Sequence, residues 1–372
     1  MKLAFTLFKY FPYGGLQRDC MRIAEECVRR GHEVDIFTLQ AQGQAPEGTT
    51  LKVLPQHAAH NYKRYEQFAE QVKALVDAEQ YRGVVGFNKM PYLDLYYAAD
   101  PCYAAKALSR SWFYRHLGRT RSFLAAERAV FGPESSTHAL LISPQEQQQF
   151  ERLYGTDPKR LHMLPPGIQR DRLAPDNYEQ LRADKRRELG LTTEQKMLLM
   201  VGSGFKTKGL DRSLRAIAAL PQSLRQQVRL FVVGQDNIRP FQRMARSLGV
   251  ADQFQFLGGR DDVAQLLFAA DLLLHPAYRE NTGTVLLEAV AATLPLLVTE
   301  TCGYSFHIKA AQCGVVLSEP FSQSQMNGRL LEMLTQPQRE RWRTNARNYI
   351  EANDLFSMPQ KAADWIEQVL SC

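Results

Sequence analysis

A succession of apolar strand, glycine turn and amphipathic helix opens this chain and begins again after a Pro-Pro-Gly sequence at residues 165–167. The first pass runs from KLAFTLF through a turn to the helix LQRDCMRIAEECVRRG and the strand HEVDIFTL. The second pass begins with MLLMVGSG, LDRSLRAIAAL and VRLFVVGQD. Alternating strands and helices are typical of doubly wound parallel sheets. The sequence therefore predicts an α/β protein with two Rossmann-like domains that face each other across a cleft, where ligands meet the carboxyl ends of strands.

The length of 372 residues also favours more than one hydrophobic core. We expect a first Rossmann-like domain over residues 1–167 and a second over residues 168–351. The tail, residues 352–372, reads as a helix with no strand after it, and we expect it to cross back and pack on the first domain.

Composition excludes several classes of protein. No apolar run approaches the ~18 residues of a membrane-spanning helix, and Lys9 interrupts the first apolar stretch, which favours a buried strand over a signal peptide. The six cysteines show neither C-x-x-C nor a zinc spacing, which indicates reduced thiols of a cytosolic protein. No D-x-D occurs, so we expect no metal. The net charge of +7 points to an acidic partner: nucleic acid, anionic lipid or a phosphorylated substrate.

Two glycine turns precede helices at corresponding places in the two domains. YGGLQRD places Gly14 and Gly15 at a helix start, where backbone N–H groups can meet an anion. Asp19 follows about one helical turn later. It either faces the same ligand site or, as a surface acid, complements the helix dipole. In the second domain, GSGFKTKGLDRS places Lys206 and Lys208 beside glycines, where lysine would neutralise a diphosphate leaving group. An ordinary turn and a solvated lysine loop are the alternatives.

The stretch HPAYRENTGTVLLEA holds two carboxylates, Glu280 and Glu288, with seven residues between them. Gly283 and its threonine neighbours start a helix between the two acids and expose N–H groups. Because a carboxylate accepts paired hydrogen bonds from sugar hydroxyls, two acids on either side of a helix N-terminus can hold a phosphorylated, hydroxyl-rich ligand.

A basic and aromatic segment covers residues 103–132. Six basic residues face a single acid, Glu127, and aromatic residues are interleaved with them. This composition suits an anionic membrane surface. Nucleic acid has no recognisable module here, and a solvated pair of interdomain helices is the other alternative. We expect Gly118 to divide the segment.

These motifs together identify a resemblance. YGGLQRD, RRGHEVDIFT, KTKG, FLGGRDDV, HPAYRENTGTVLLEA and CGY resemble glycosyltransferase family 4, whose fold is GT-B and whose signature is the E-x7-E spacing of Glu280 and Glu288. Within that family, KYFPYGGLQRD, VVGFNKMPYLD and EPFSQ resemble the lipopolysaccharide core glucosyltransferases. The resemblance runs over nearly the whole chain.

The resemblance implies a retaining transfer of a hexose from a UDP-sugar to a heptose of the lipopolysaccharide inner core. It places the enzyme in the cytoplasm, on the cytoplasmic face of the inner membrane. UDP-sugar is then a co-substrate, and no cofactor or metal is expected. The first domain would take the acceptor and face the membrane, and the second would bind the UDP-sugar.

The candidate site residues, taken from the motifs and from the resemblance together, fall into three groups. Those expected to act in catalysis are Asp19, Asp100 and Glu280. Those expected to bind the donor are Gly14, Gly15, Lys206, Lys208, Arg260, Glu280, Asn281, Thr282, Gly283, Thr284 and Glu288. Those expected to contact the membrane are Lys106, Arg110, Trp112, Phe113, Arg115, Arg119 and Arg121.

The chain departs from the family pattern at several of these positions. Ser203 stands where many relatives have arginine, and Asp100 where many have histidine near the donor sugar. Asn281 and Thr282 replace the usual residues of E-x-F-G, next to the sugar, and so bear on the choice of hexose. A nucleotide-sugar enzyme without a lipid acceptor, such as an epimerase, and a non-catalytic nucleotide-binding protein are the alternative functions.

Overall fold

The computed structural model describes residues 1–11, 14–335 and 338–371. Over these residues the strands are β1 (Lys2–Thr6), β2 (Lys9–Tyr10), β3 (Glu33–Thr38), β4 (Gln40–Ala41), β5 (Thr49–Val53), β6 (Gly83–Gly86), β7 (Leu95–Ala98), β8 (His138–Leu141), β9 (Leu161–Met163), β10 (Lys196–Val201), β11 (Val228–Val233), β12 (Phe254–Gly258), β13 (Leu272–His275), β14 (Leu296–Thr299) and β15 (Gly314–Leu317).

Over the same residues the α-helices are α1 (Gly15–Arg29), α2 (Asn61–Ala78), α3 (Tyr103–Leu108), α4 (Trp112–His116), α5 (Gly118–Phe131), α6 (Pro144–Tyr154), α7 (Tyr178–Glu188), α8 (Leu210–Ala218), α9 (Gln222–Gln227), α10 (Arg239–Ser247), α11 (Val263–Ala269), α12 (Thr284–Ala291), α13 (Ser305–Ala311), α14 (Gln323–Thr335), α15 (Arg339–Ala352) and α16 (Met358–Ser371). The chain forms two compact units. The first comprises Met1–Gly167 with Phe356–Cys372, and the second comprises Ile168–Leu355.

The first unit is built on a parallel sheet of order β5-β3-β1-β6-β7-β8-β9. The strands β1 and β6 in its centre are buried on both faces, which explains why they read as nearly continuous apolar runs. The sequence did not predict β7, because its four residues include two tyrosines and follow a proline-containing stretch. All four are buried, and the strand pairs with β6 and β8 in the middle of the sheet.

The terminal helix α16 belongs to the first unit. Its buried face, which includes Ala362, Ala363 and Ile366, joins the core that the apolar side of α1 forms with Cys20 and Ile23. The prediction that this helix crosses back onto the first unit is therefore confirmed.

The second unit is built on a parallel sheet of order β12-β11-β10-β13-β14-β15. Strands β10 and β13 are parallel neighbours. The loops that follow them therefore leave the same edge of the sheet, where the carboxyl ends of parallel strands form ligand sites. These two loops carry Lys208 and Glu280.

Candidate active site

The loop between β10 and α8 depends on glycines in the left-handed region of φ. Gly204 and Gly209 have φ of 77° and 78°, and Gly209 is the residue that precedes the first turn of α8. A Cβ atom at Gly209 would lie 2.0 Å from the carbonyl oxygen of Pro276. The loops after β10 and β13 therefore touch at a point where only glycine fits. This contact holds Lys208 against the loop that carries Glu280.

Glu280 has two partners at one carboxylate oxygen. The Nζ of Lys208 donates to Oε2, and the Nε2 of His275 lies 3.3 Å from the same atom. Burial lowers the pKa of Lys208, although the contact with Glu280 favours its ammonium form. Burial, together with the charge of Lys208, lowers the pKa of His275 to about 3, so its ring is neutral at physiological pH. The site thus pairs one carboxylate with one ammonium group at the edge of the sheet.

Arg212 holds the start of the β13 loop, a function that sequence reasoning missed. Its guanidinium lies 3.6 Å from the ring centroids of both Tyr278 and Phe321. It also donates to the carbonyl oxygens of Pro276 and Ala277, each at 3.1 Å. The side chain is buried in α8. No pattern in LDRSLRAIAAL distinguishes it from an ordinary helix arginine.

The N-terminus of α12 follows directly after Glu280. Gly283 precedes the helix with φ of 79°, and the first N–H groups of a helix have no acceptor within it. The loop is held in place because the N–H of Tyr304 donates to the carbonyl of Thr282 at 2.7 Å. A Cβ at Gly303 would lie 1.7 Å from the carbonyl oxygen of Asn281. The segment from Asn281 to Thr284 therefore presents amides on a fixed backbone.

Glu288 lies in the second turn of α12 and is almost fully buried, which confirms the predicted placement inside the helix. The Nε of Arg172 lies 3.7 Å from its Oε1. Among the described residues, this Nε has no hydrogen-bond acceptor. Arg172 is a second residue that sequence analysis missed. It follows the junction between the two halves of the sequence, where no motif drew attention to it.

Two other residues of the predicted donor site, Lys206 and Arg260, lie at the surface of the second unit, as does Ser203, which was noted as a departure from the family pattern. Lys206 is exposed. The guanidinium of Arg260 is bonded to Asp262, with Nε 2.8 Å from Oδ1, and therefore serves this local ion pair. Ser203, in the place of the arginine of many relatives, accepts a hydrogen bond from the N–H of Gln235 at 3.0 Å. The structure brings Lys208 and Glu280 into contact, and it gives the side chain of Arg260 a separate partner.

In the first unit, Gly14 and Gly15 stand at the beginning of α1, as predicted. A Cβ at Gly14 would overlap the side chain of Gln17, whereas the space beside Gly15 is open. Tyr13, which begins the motif, lies outside the described residues. Asp19 accepts a hydrogen bond from the hydroxyl of Tyr97 at 2.8 Å, which ties α1 to β7.

Asp100 follows β7 by two residues. Burial of its carboxyl raises the pKa of Asp100, and attraction to Lys89 partly offsets this rise. Repulsion from Glu127 acts in the same direction as burial. The residue as a whole is nevertheless exposed to solvent. A carboxyl with a raised pKa beside an ammonium group is suited to exchanging a proton.

Glu127 anchors the chain that follows Asp100. It is fully buried, and its carboxylate accepts from the Nζ of Lys89 at 2.5 Å and the hydroxyl of Tyr154 at 2.7 Å. The N–H groups of Tyr103 and Ala104 donate to it at 2.7 and 2.8 Å. In the sequence this residue stood out only as the one acid among six bases. The structure shows that it fastens the start of α3 to α5.

The basic and aromatic segment forms three helices, α3, α4 and α5, and the predicted division at Gly118 is confirmed, since α5 begins there. Phe113 and Trp112 are 76% and 62% exposed. Lys106, Arg110, Arg119 and Arg121 are exposed as well. Arg115 instead folds back and donates to the carbonyl oxygens of Ala107 and Leu108 at 3.3 and 3.1 Å. The segment therefore presents aromatic rings flanked by cations.

No helix among the described residues is both long and apolar enough to cross a membrane. No group of three or more His, Cys, Asp or Glu side chains within the described ranges is arranged to hold a metal ion.

Comparison with known proteins gives matches to both halves. Residues 13–172 match the family described as Glycosyltransferase Family 4, and residues 182–349 match Glycosyl transferases group 1. The lipopolysaccharide glucosyltransferase WaaG of Escherichia coli (strain K12) is 46% identical over 368 residues, which cover 98% of each chain.

Solved structures give the same result. The crystal structure of WaaG, a glycosyltransferase involved in lipopolysaccharide biosynthesis, superposes with a TM-score of 0.94 and covers 98% of this chain and 99% of that one. Anabaena Alr3699/HepE in complex with UDP and glucose is 18% identical, with a TM-score of 0.76 over 99% of this chain and 100% of that one, and shows the shared fold alone. The predicted architecture of two Rossmann-like domains is confirmed.

Proposed function

Because the chain belongs to the glycosyltransferases of family 4, with the GT-B fold, we propose that it transfers a hexose from a UDP-sugar to a heptose of the lipopolysaccharide inner core. Transfer of a sugar is the activity of the family. The UDP-linked donor, the heptose acceptor and retention of the anomeric configuration are the specific parts of the proposal. The name of the E. coli relative, a lipopolysaccharide glucosyltransferase 46% identical to this chain, supports the role in the lipopolysaccharide core.

One observation carries the assignment of the donor site: a helix N-terminus lies between two carboxylates, one of which contacts a lysine. We assign Glu288 to the ribose hydroxyls, because a carboxylate accepts two hydrogen bonds from neighbouring hydroxyls. Glu280 and the amides of Asn281–Thr284 would bind the hexose. Lys208 and Lys206 would meet the diphosphate, and the backbone at Arg260 the uracil.

The proposed chemistry follows from these charges. The bond between the sugar and UDP breaks with its electron pair on the phosphate oxygen, and an acceptor hydroxyl forms the new bond on the same face of the sugar. The hydroxyl proton passes to the departing phosphate oxygen of UDP as the bond forms, directly or through the carboxylate of Asp100. Lys208 and the amides of the α12 N-terminus would stabilise the negative charge on UDP, which is the function a metal ion has in other transferases. We therefore propose a reaction independent of metal.

The first unit supplies the remaining groups of the proposal. The amides of Gly14 and Gly15 are suited to a phosphate oxygen. Asp19, Asp100 and Glu280 are the carboxylates proposed for catalysis, and the raised pKa of Asp100 favours a role in proton transfer.

We also propose that the helices α3, α4 and α5 dock on the cytoplasmic face of the inner membrane. Trp112 and Phe113 would enter the headgroup region while the neighbouring cations attract anionic lipid. The enzyme would then meet its lipid-linked acceptor at the membrane in which that lipid is anchored.

A donor screen tests the function. UDP-glucose, UDP-galactose and their N-acetylated forms are offered with a truncated core lipid, with and without EDTA, and UDP release is measured. We expect one preferred donor, an unchanged rate in EDTA, and a product whose anomeric configuration by NMR is that of the donor.

Matched variants locate the site. Glu280→Gln and Lys208→Met should lower kcat about a hundredfold, the usual effect of losing one group that stabilises the transition state. Arg279→Gln, an exposed charge in the same loop, is the control. Wild-type rates in both site variants would overturn the assignment. Conversion of the UDP-sugar without an acceptor would indicate an epimerase, and nucleotide binding without turnover would indicate a non-catalytic protein.

A further inference from the structure

A cavity of about 630 Å³ lies within the first unit, outside the residues assigned to the donor and to catalysis, and one of its sides is formed by α5 of the proposed membrane-docking helices. Phe8, just after β1, and Lys89, just after β6, line one side of it, and helices α2 and α5 form the other walls. It is therefore at the carboxyl edge of the parallel sheet, where α/β proteins bind ligands. Its volume falls in the range of about 300–1,000 Å³ found for small-molecule sites.

Three aromatic side chains, Phe8, Tyr65 and Phe123, line one part of this cavity and form its aromatic wall. The rings of Phe8 and Tyr65 are stacked, with centroids 4.0 Å apart and planes 2° from parallel. Phe123 lies next to Tyr65, with centroids 6.3 Å apart. The adjoining face of α5 consists of small side chains, including Ala126 and Ala129, so a flat ring can approach the helix closely.

Oxygen-bearing side chains from the same two helices, α2 and α5, line another part of the cavity and form its polar wall. They are Glu66, Gln67, Glu70, Gln71 and Ser122. Glu70 accepts from the hydroxyl of Tyr92 at 2.9 Å, which fixes the orientation of its carboxylate. The Oε1 of Gln71 is buried and, within the described part of the chain, has no donor.

The two walls together indicate the chemistry of the ligand. An alkyl chain would match the aromatic wall but would leave the buried Oε1 of Gln71 without a hydrogen-bond donor, which costs free energy. A pyranose ring matches both walls, because its C–H face is apolar and its edge carries hydroxyls that donate to carboxylate and amide oxygens.

Lys89 joins this cavity to Asp100. It lines the cavity, its Nζ donates to the carbonyl of Pro101 at 2.8 Å, and its charge acts on Asp100. A ring in the cavity would therefore lie beside the chain that carries Asp100.

We propose that this cavity binds a pyranose unit of the acceptor glycan and so determines which acceptor is used. The inference rests on the proposed function, in which that glycan is the heptose-containing inner core. The aromatic wall takes the C–H face of the ring, and Glu70 and Gln71 accept hydrogen bonds from its hydroxyls.

The test uses the full-length protein and a deacylated core oligosaccharide that ends in heptose, so that membrane binding does not contribute. Ala126→Phe places a bulky ring inside the cavity, and Glu70→Gln keeps the shape of the side chain but makes it a weaker hydrogen-bond acceptor for sugar hydroxyls. Each should raise the KM for the oligosaccharide about tenfold or more, with unchanged affinity for UDP by calorimetry. The controls are Ala74→Phe and Asp77→Asn, at exposed positions of α2 outside the cavity.

An unchanged KM in both cavity variants would overturn the inference. A second measurement is direct binding of the oligosaccharide by saturation-transfer NMR, in competition with decanoate. Loss of oligosaccharide binding in Ala126→Phe supports the cavity even if no UDP-sugar is turned over, and so separates this inference from the proposed function. If Ala126→Phe blocks decanoate and leaves the oligosaccharide bound, the cavity takes an alkyl chain and the inference is wrong.

Discussion

The Nε2 of His275 and the Oε2 of Glu280 lie 3.3 Å apart, at the end of the buried strand that leads into the proposed donor site. His275 is buried, and the pKa lowered to about 3 keeps its ring neutral. In the described structure its Nδ1 has no partner. The proton of the neutral ring therefore belongs on Nε2, where it is donated to Glu280. His275 is a positioning residue: it holds the Oε2 of Glu280 in place, and Lys208 donates to the same oxygen.

The first prediction concerns this pair. His275→Leu should lower kcat about tenfold or more, because a misplaced catalytic carboxylate loses its geometry, while the affinity for UDP changes little. His275→Gln, whose amide can still donate to Glu280, should recover part of the rate. Steady-state kinetics and calorimetry measure both. Equal loss in the two variants, with a lower melting temperature in each, would indicate a purely structural role.

Arg212 gives a prediction about stability. Arg212→Ala should cost about 3 kcal/mol of unfolding free energy, since it removes two buried hydrogen bonds and a guanidinium held between two rings. Arg215→Ala, one turn further along α8, removes an exposed ion pair with Asp211 at 2.8 Å and should cost under about 1 kcal/mol. Urea unfolding measures the difference. Similar losses in both variants would contradict the stabilising role of the ring contacts and carbonyl hydrogen bonds described for Arg212.

Arg212 and Glu127 show what the sequence could not provide. The strand and helix succession, the helix that begins between Glu280 and Glu288 and the break at Gly118 are local patterns of hydrophobicity and turn residues, and they were predicted. Arg212 contacts a carbonyl 64 positions away, and Glu127 meets Lys89 across 38 positions. Such contacts depend on which loops the fold brings together, and no local pattern encodes them.

The missed strand β7 has the same cause. Its four residues are too few for a period to be recognised, and burial between β6 and β8 overrides weak local preference. The position of Asp100 at the sheet edge, which follows from β7, was available only from the resemblance. The donor loops were predictable because their turns need positive φ, and the glycines that adopt it are visible in the sequence.

Glu127 provides a third prediction. Glu127→Gln should destabilise the first unit by about 3 kcal/mol, because the Lys89 ammonium is left without its buried counter-charge. Hydrogen exchange should speed up at the start of α3, where two N–H groups donate to this carboxylate. Glu134→Gln, an exposed acid just beyond α5, is the control. Unchanged exchange at residues 103 and 104 would contradict the anchoring role.

The histidines predict a dependence of stability on pH. Burial lowers the pKa of His162 and of His307 to about 4 in the folded protein, against 6.5 for the ordinary side chain. Between these values the unfolded chain binds more protons than the folded one, so stability is complete above pH 6.5 and falls as the pH drops towards 4. Each proton contributes a slope of about 1.4 kcal/mol per pH unit.

The melting temperature measured from pH 7.5 to 4.5 tests this dependence. Carboxylates with lowered pKa, such as Glu26, lose their contribution at lower pH and hardly affect this window. His307→Gln should flatten the decline, whereas His60→Gln, at an exposed position, should leave it unchanged. A melting temperature that is constant across the window would show that folding does not lower the pKa of these buried histidines.

The exposed rings of α4 give the last prediction. Trp112→Ser with Phe113→Ser should weaken binding to vesicles of phosphatidylethanolamine and phosphatidylglycerol by a factor of about ten or more, since each buried aromatic side chain is worth about 1.5–3 kcal/mol. Phe306→Ser, a 44% exposed ring in the second unit, is the control. Vesicle flotation measures binding, and transfer to the deacylated oligosaccharide should stay at the wild-type rate. Binding that survives the double substitution but disappears in high salt would assign docking to Lys106, Arg110, Arg119 and Arg121 alone.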